Sequence, residues 1–456
     1  MKMIYGVKDK PKFGQLILFA FQQLLAIMAA TIAVPMIVGN GMSTSAALFG
    51  AGVGTLVYVA FTKAKSPVFL GSSFAFLGPM AAAFGGGVAV GLGYVGLIIG
   101  AVLAGLVYVV LAIIVKAVGV NWISKIMPAV VIGPTVAIIG LSLAGNAIGD
   151  LGATEAKFAD GSPITQYACI LCGLVTLAVT MLCSVYGKKL GKLIPFIIGI
   201  LAGYATASIL YVIGEVSGFD AIKVIDYSAI TSLFQDIKLS SFIAVPDFTF
   251  VKAFGSFGSL NPGYFGTIAV AFIPVAFVVF AEHIADHKNL SSIIEHDLLK
   301  DPGLSRTLLG DGVGSMVGAF FGGCPNTTYG ESVGCVAITK NASVATIICT
   351  AVEAMIIAFI APFVAFLSTI PSCVMGGVCI ALYGFIAVSG LKMLQKVDLD
   401  DNRNLFTASV ILIAGVGGMV LKFGSVTITE VACALILGIL TNLMLGRKKK
   451  DNKEDK

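Results

Sequence analysis

The sequence has 456 residues, of which 57% are hydrophobic and 12% are charged, and its net charge at pH 7 is +5. Soluble domains carry about 25% charged residues, so this composition excludes a soluble globular protein and indicates a membrane protein. The basic residues lie in loops and tails without an aromatic-rich basic face, which argues against nucleic-acid binding.

Fourteen apolar segments follow one another along the chain. Because a spanning helix needs about 20 apolar residues, we predict an all-α polytopic membrane protein with fourteen transmembrane segments. These segments are 13–38, 45–62, 68–84, 90–115, 127–148, 166–186, 193–214, 263–286, 304–323, 325–338, 343–368, 372–391, 404–421 and 426–446. The first segment is too long for the core of a signal peptide and is predicted to be a retained helix.

The distribution of lysine and arginine predicts the orientation of the spans. Alternate loops are basic, as at Lys188 and Lys189, whereas the loops between them are uncharged or acidic, as at Asp150 and Glu155. By the positive-inside rule both termini are predicted to be cytoplasmic. The long loop 215–262 then lies outside the cytoplasm and is predicted to hold a short amphipathic element.

The third and tenth segments are too short and too polar for ordinary spanning helices. Each contains a proline followed by small and polar residues, in the stretches 67–76 and 325–334. The two prolines are 325 − 67 = 258 residues apart, and Gln22 and Glu282 are 282 − 22 = 260 apart. We therefore predict two inverted repeats of seven spans, with a transporter site near the midplane where the broken segments meet. The alternative is that Gly and Pro here only permit close packing or kinks.

Ionisable residues inside spans by default mark a transport pathway. Glu282 and Asp286 lie four residues apart, hence on one face of the eighth span, next to His283, and Glu331 lies in the tenth. Two carboxylates in a polar site suit a planar substrate with N–H donors and C=O acceptors, and a carboxylate that gains and loses a proton would couple transport to protons. The alternative for the glutamates is a structurally paired carboxylate.

Several other reactive residues are given structural roles. His287 and His296 are expected at a helix end at the cytoplasmic interface, and Glu353 is expected to serve packing or an inter-helix hydrogen bond. Cys169 and Cys172 form a C-x-x-C inside an apolar span without a second pair, so no metal or redox site is predicted. No G-x-x-x-x-G-K-[ST] motif is present, which argues against an ATP-driven pump. No cofactor is therefore expected besides protons as the coupling ion.

Motifs along the whole chain resemble the nucleobase-ascorbate transporter (nucleobase:cation symporter-2) family, and within it the bacterial uracil permeases. The matching strings are G-S-S-F-A-F at 71–76, A-E-H-I at 281–284, D-P-G-L at 301–304, N-T-T-Y-G-E at 326–331 and P-x-x-V-M-G-G at 371–377. The family signature corresponds to residues 331–340. Its first position is Glu331, as in uracil-type members, whereas xanthine- and urate-type members carry Gln there.

The resemblance implies a site and an architecture. Glu282 and Glu331 would bind the N–H and C=O edges of a pyrimidine, with Phe74 and Tyr329 as walls and backbone hydrogen bonds near Phe74 and Gly330. The substrate-binding residues expected in full are Glu282, Glu331, Phe74, Gly330, Tyr329, Ser73, Ala75 and Thr328. A core domain would comprise 13–118 and 263–368 (spans 1–4 and 8–11), and a gate domain 127–214 and 372–446 (spans 5–7 and 12–14), with homodimers formed through the gate.

Three positions depart from the family pattern. Asp286 replaces a proton-linked histidine, Ser332 replaces the signature asparagine, and Gln23 replaces a histidine of the first span. Proton coupling is therefore assigned to Asp286, with Glu282 and His283.

The expected function is proton-coupled import of uracil across the bacterial cytoplasmic membrane by alternating access, and not an enzymatic reaction. Alternatives are a xanthine or purine permease of the same family, and an anion exchanger or channel of similar architecture. A membrane-embedded hydrolase is disfavoured because the chain lacks H-E-x-x-H and G-x-S-x-G motifs.

Overall fold

The computed structural model describes residues 3–119, 127–153, 163–188, 190–395, 397–423 and 426–446. Within these ranges, eight helical stretches are long and apolar enough to cross a membrane, one of them being Ala129–Leu151, which is interrupted at Leu143. Glu155, Lys189 and the basic C-terminal residues from Arg447, which contribute to the predicted orientation, lie outside the described residues.

Helices dominate both halves of the chain, and the described residues include one short strand in the first half and three in the second. The first half contains α1 (Phe13–Val38), α2 (Thr44–Phe61), β1 (Leu70–Ser72), α3 (Leu77–Ala83), α4 (Val90–Val118), α5 (Ala129–Ser142), α6 (Ala144–Leu151), α7 (Pro163–Tyr186), α8 (Leu190–Leu193) and α9 (Pro195–Ser217). The second contains α10 (Ser228–Gln235), α11 (Thr249–Ala253), α12 (Pro262–Ile294), α13 (Leu304–Gly322), β2 (Asn326–Thr328), α14 (Gly330–Thr339), α15 (Val344–Ile357), α16 (Ala361–Ser368), α17 (Ser372–Leu394), α18 (Asn402–Val416), β3 (Leu421–Phe423), β4 (Val426–Ile428) and α19 (Glu430–Leu445).

Several predicted segments differ from the helices observed. The segments 127–148 and 343–368 are each divided into two helices, α5 with α6 and α15 with α16. The predicted helix start at 426 is wrong, because Val426–Ile428 pairs with Leu421–Phe423 in a hairpin. Gly418, with φ of +67°, follows the end of α18 and is typical of a helix end. The β-branched residues Val426 and Ile428 favour a strand over a helix at this point of the sequence. The loop 215–262 does contain short helices, α10 and α11.

The helices pack in two groups, one of α1–α4 with α12–α15 and the other of α5–α9 with α17–α19, and glycines allow close packing within each. A Cβ atom at Gly54 of α2 would lie 2.7 Å from the carbonyl oxygen of Gly314 on α13. In the second group, a Cβ atom at Gly390 of α17 would lie 2.5 Å from the carbonyl oxygen of Gly133 on α5. Close backbone approach through small residues is how helices associate in lipid, where apolar side chains gain little by leaving the bilayer.

The two broken segments cross and pair with each other, which confirms the extended stretches predicted in the third and tenth segments. β1 and β2 are antiparallel, with Gly71 opposite Thr327. The ladder continues past both strands, because Ser73 N donates to Pro325 O (2.9 Å) and Tyr329 N donates to Phe69 O (3.2 Å). Non-helical backbone is thereby hydrogen-bonded inside the protein, as membrane depth requires.

A side chain of α2 binds the other edge of β1. The Thr55 hydroxyl accepts from Leu70 N (2.9 Å) and donates to Leu70 O (3.2 Å). Thr55 is fully buried, so one hydroxyl replaces the partner strand that this edge lacks.

The D-P-G-L string lies in the connection from α12 to α13 and ties two loops together. Lys65 Nζ donates to Asp301 Oδ1 over 2.6 Å, and this ammonium holds the pKa of Asp301 below its ordinary value. His296 Nε2 lies 2.9 Å from the Asp301 carbonyl oxygen. His296 is exposed just beyond the end of α12, as expected from the sequence.

The N-terminal segment pairs with the connection that follows α14. Tyr5 forms a parallel bridge with Asn341, Ile4 N donates to Lys340 O (2.8 Å), and Ala342 N donates to Tyr5 O (2.9 Å). Residues ahead of the first helix therefore fix the end of the second broken segment.

We predict that Thr55→Val lowers the free energy of unfolding by about 1–3 kcal/mol, because valine keeps the shape but removes the hydroxyl that both polar groups of Leu70 use. Thermal unfolding of the purified protein in detergent measures the change. Thr62→Val is the matched control: its hydroxyl bonds to Tyr58 O, which Thr62 N also binds. Equal destabilisation by the two substitutions would contradict the role given to Thr55.

Candidate functional site

A cavity of about 430 Å³ lies between the two groups of helices. On one side α1, the turn after β1, α12, β2 and α14 line it, and on the other α5, the α8–α9 region and α17. The predicted residues that line it are Ser73, Phe74, Ala75, Glu282, Asp286, Thr328, Tyr329, Gly330 and Glu331. Of the predicted site residues, His283 alone is absent from the lining.

The strand pair sets the position of the residues contributed by the two broken segments. The chain leaves β1 into a turn at Phe74–Phe76 and leaves β2 into α14 at Gly330. The strands are antiparallel, so the two exits lie at opposite ends of this short ladder, and residues at both of them, Phe74 and Gly330, line the same cavity. The Tyr329 hydroxyl donates to Ser72 O over 2.6 Å, which fixes the tyrosine ring across β1.

The N-terminus of α14 is directed at the cavity. Gly330 is the first residue of the helix and Glu331 the second, and both line the cavity. The first N–H groups of a helix have no partner within it and carry partial positive charge. This end can therefore donate hydrogen bonds to a carbonyl oxygen of a bound molecule.

Three carboxyl groups converge on the cavity. Glu282 and Asp286 come from α12 and Glu331 from α14, and Thr328 Oγ1 donates to Asp286 Oδ2 over 3.2 Å. In the described part of the chain, no lysine or arginine forms an ion pair with any of them. Three charges of one sign in a membrane-embedded cavity are costly, so the arrangement suits bound protons and substrates with N–H groups.

The histidines of α12 face away from the cavity. His283 is fully buried, with Nδ1 2.7 Å from Asp311 Oδ2 and Nε2 3.0 Å from Thr307 Oγ1. His287 stacks on His283, and its Nε2 lies 2.7 Å from the Tyr58 hydroxyl. The interfacial position predicted for His287 is wrong, since α12 continues to Ile294 and the ring is 1% exposed.

Two of the departures from the family pattern are hydrogen-bonded to each other. Gln23 Nε2 on α1 donates to Ser332 Oγ on α14. The same oxygen accepts from Phe69 N over 2.9 Å, just before β1. The pair joins α1, β1 and α14 directly behind the cavity.

Sequence reasoning missed one wall of the cavity and one buried acid. The wall opposite the carboxylates is largely apolar, with Val136, Ile139, Phe196, Leu382 and Phe385, and apolar residues in spans carry no motif. Asp311 is 1% exposed within α13. An acid inside a predicted span was the signal that could have identified it.

Glu353 was expected to serve packing or an inter-helix hydrogen bond. The Cys349 thiol, one turn earlier on α15, donates to Glu353 Oε1 over 3.7 Å. The observed hydrogen bond is thus within one helix, and the packing role stays a prediction.

Sequence comparison identifies the family. The permease family model matches residues 14–423. A uracil permease of Bacillus caldolyticus is 40% identical over 97% of this chain and 95% of its own length. Uracil permeases of Bacillus subtilis (strain 168) and Escherichia coli (strain K12) are 37% and 34% identical, over 99% and 96% of this chain and 97% and 93% of their own lengths.

Solved structures show a related fold at low sequence identity. The transmembrane domain of a cyanobacterium bicarbonate transporter, BicA, is 14% identical with a TM-score of 0.58, covering 96% of this chain and all of that domain. Murine Slc26a9, an anion transporter in the inward-facing state, is 12% identical with a TM-score of 0.61, covering 96% of this chain and 69% of its own. The sequence match extends over nearly the whole length of the chain. It shows that the chain belongs to the permease family, in its nucleobase-ascorbate transporter branch, and that it is an integral membrane transporter and not an enzyme.

Proposed function

We propose that this protein imports uracil across the bacterial cytoplasmic membrane, coupled to protons, by alternating access. The observation that carries the proposal is the meeting of Glu282 and Glu331 in one cavity. They come from separate elements, α12 and α14, and flank the exits of the two broken segments. The full-length relatives named uracil permeases supply the substrate class.

The cavity chemistry suits a pyrimidine dione. Uracil presents alternating N–H and C=O groups on a rigid plane. Carboxyl groups of Glu282 and Glu331 would bind the N–H groups, and backbone N–H groups near Phe74 and Gly330 would bind the carbonyl oxygens. Phe74 and Tyr329 would enclose the ring, with Ser73, Ala75 and Thr328 shaping the remaining surface.

We assign the chain fourteen spans in two inverted repeats. Besides the eight long helices, the described ranges contain shorter apolar helices at Phe74–Ala83, Val344–Ile357, Asn402–Val416 and Glu430–Leu445. The antiparallel crossing of β1 and β2 is what two inverted halves would produce at their centre. Both termini would be cytoplasmic.

The two groups of helices support a core domain of 13–118 and 263–368 and a gate domain of 127–214 and 372–446. The carboxylates belong to the core and the apolar wall to the gate. A homodimer would use the outer face of the gate, and lipid would surround the remainder, with 215–262 outside the cytoplasm.

We assign the structure to the inward-facing state. The cavity lining includes Lys192 and Met393, which lie on the predicted cytoplasmic side. At the other end, the rings of Phe74 and Tyr383 meet edge to face with centroids 5.9 Å apart. This contact joins core and gate and would separate when the cavity opens outward.

Two alternative functions can be distinguished from uracil import. A xanthine permease would use the same fold, but Glu331 matches uracil-type members, and competition of uracil uptake by xanthine decides between them. An anion exchanger shares the architecture of the solved relatives, but a cavity with three carboxyl groups disfavours an anion.

The decisive experiment is uptake by proteoliposomes against a panel of nucleobases, with and without an imposed pH gradient. Uracil accumulation that requires an inwardly directed proton gradient is the expected result. Accumulation of another base in preference to uracil, or uptake indifferent to the gradient, would contradict the substrate or the coupling, respectively.

We predict that Glu331→Gln weakens uracil binding about tenfold or more, since the amide replaces one of the two acceptor oxygens of the carboxylate with an N–H donor. Equilibrium binding and uptake at pH 6 measure the effect. Glu353→Gln, the same change on α15 outside the cavity lining, is the matched control. Uptake by Glu331→Gln within about twofold of that of the parent would contradict a substrate-binding role for Glu331.

We predict that Asp286→Asn abolishes accumulation driven by a pH gradient while uracil exchange at equal pH persists. Asparagine keeps an oxygen for the Thr328 hydroxyl but cannot gain or lose the coupling proton. Asp301→Asn, in the α12–α13 loop, is the control. An unchanged pH profile in Asp286→Asn would place the coupling proton elsewhere, with Glu282 the next candidate.

A further inference from the structure

A second, much smaller cavity lies behind the strand pair. It measures about 10 Å³ and is enclosed by α4, α12, α13, β2 and the turn after β1. Its polar lining consists of Tyr108, Asp311, Ser315, Asn326 and Thr327. Thr327 also lines the large cavity, so the two cavities share one lining residue.

Two polar atoms at this small cavity have no hydrogen-bond partner within the described residues. They are Asp311 Oδ1 and the Tyr108 hydroxyl, on residues that are 1% and 5% exposed. A buried polar atom without a hydrogen-bond partner is unfavourable. Two such atoms beside one void indicate that something hydrogen-bonds to both.

We propose that this cavity binds one water molecule, which donates to Asp311 Oδ1 and accepts from the Tyr108 hydroxyl. A water site needs roughly 10–15 Å³ and two to four polar partners, and both conditions are met here. The hydroxyl groups of Ser315 and Thr327 lie in the same lining and complete the set of partners.

Water fits the lining better than a hard cation does. Phe76, Ala104 and Val279 form apolar walls, which leave part of the lining without side-chain oxygens. Hard cations such as Mg²⁺ and Ca²⁺ take about six or more oxygens around the ion. The other oxygen of Asp311 is already bonded to His283.

The bound water makes Asp311 and Tyr108 positioning residues for Glu282, a step that rests on the proposed function. The water holds Asp311, Asp311 holds Nδ1 of His283, and Thr307 holds Nε2. With both ring nitrogens bound, the rotation of α12 about its axis is fixed. Glu282, the preceding residue, is thereby aimed at the large cavity.

The test compares Tyr108→Phe with Tyr264→Phe in the full-length protein. Tyr264 is a buried tyrosine of α12 whose hydroxyl bonds to Ala83 O and Leu92 O, away from Asp311. Structures of the parent and of Tyr108→Phe are determined at a resolution that shows ordered water. The parent should contain a water peak within hydrogen-bond distance of Asp311 Oδ1 and the Tyr108 hydroxyl. An empty cavity in the parent overturns the proposal.

Uracil affinity gives the second readout. Both substitutions should lower the melting temperature by about 2 °C or more, but Tyr108→Phe alone should weaken uracil binding, by about threefold to tenfold. An unchanged affinity in Tyr108→Phe overturns the positioning role. Stabilisation of the parent by Na⁺ but not K⁺, lost in Asp311→Asn, would show a cation in place of water. The water peak and the melting temperatures do not require uracil as substrate, so failure of the proposed function is recognised separately.

Discussion

The fold depends on hydrogen-bonding the non-helical backbone of the two broken segments inside the protein. β1 and β2 do this for each other, and side chains complete the edges: Thr55 binds Leu70, and Ser332 binds Phe69 N. Each such bond pairs a backbone N–H or C=O group that would cost several kcal/mol if it were left unpaired in hydrocarbon. The crossing is therefore a rigid centre, and the candidate site is built on its two exits.

The two walls of the large cavity have different chemistry, which suits the proposed transport cycle. Carboxyl groups and helix N–H groups lie on the wall that carries β1 and β2, whereas the opposite wall is mainly apolar. An apolar wall can slide past a bound base without breaking hydrogen bonds, while the polar wall keeps its contacts. Substrate affinity and gating would thus reside on separate surfaces, joined at the Phe74–Tyr383 contact.

The sequence predicted the parts of the molecule that polar residues identify. Two Pro-containing polar interruptions in apolar segments located β1 and β2, and acids at i, i+4 located the α12 face. Apolar packing carries no comparable signal, so the wall with Leu382 and Phe385 and the breaks within 127–148 and 343–368 were not predicted. His287 was misplaced because its burial depends on Tyr58, which is distant in sequence.

The Gln23–Ser332 hydrogen bond has a consequence for how this chain is compared with its relatives. A histidine at the first position and an asparagine at the second, as the family pattern has them, would be a different pair filling the same space between α1 and α14. Because the two side chains are in direct contact, a change at one position alters the surroundings of the other. A chimera that exchanges only one of the two residues would leave the other without its hydrogen-bond partner behind the large cavity. Its defect would then say little about either residue alone.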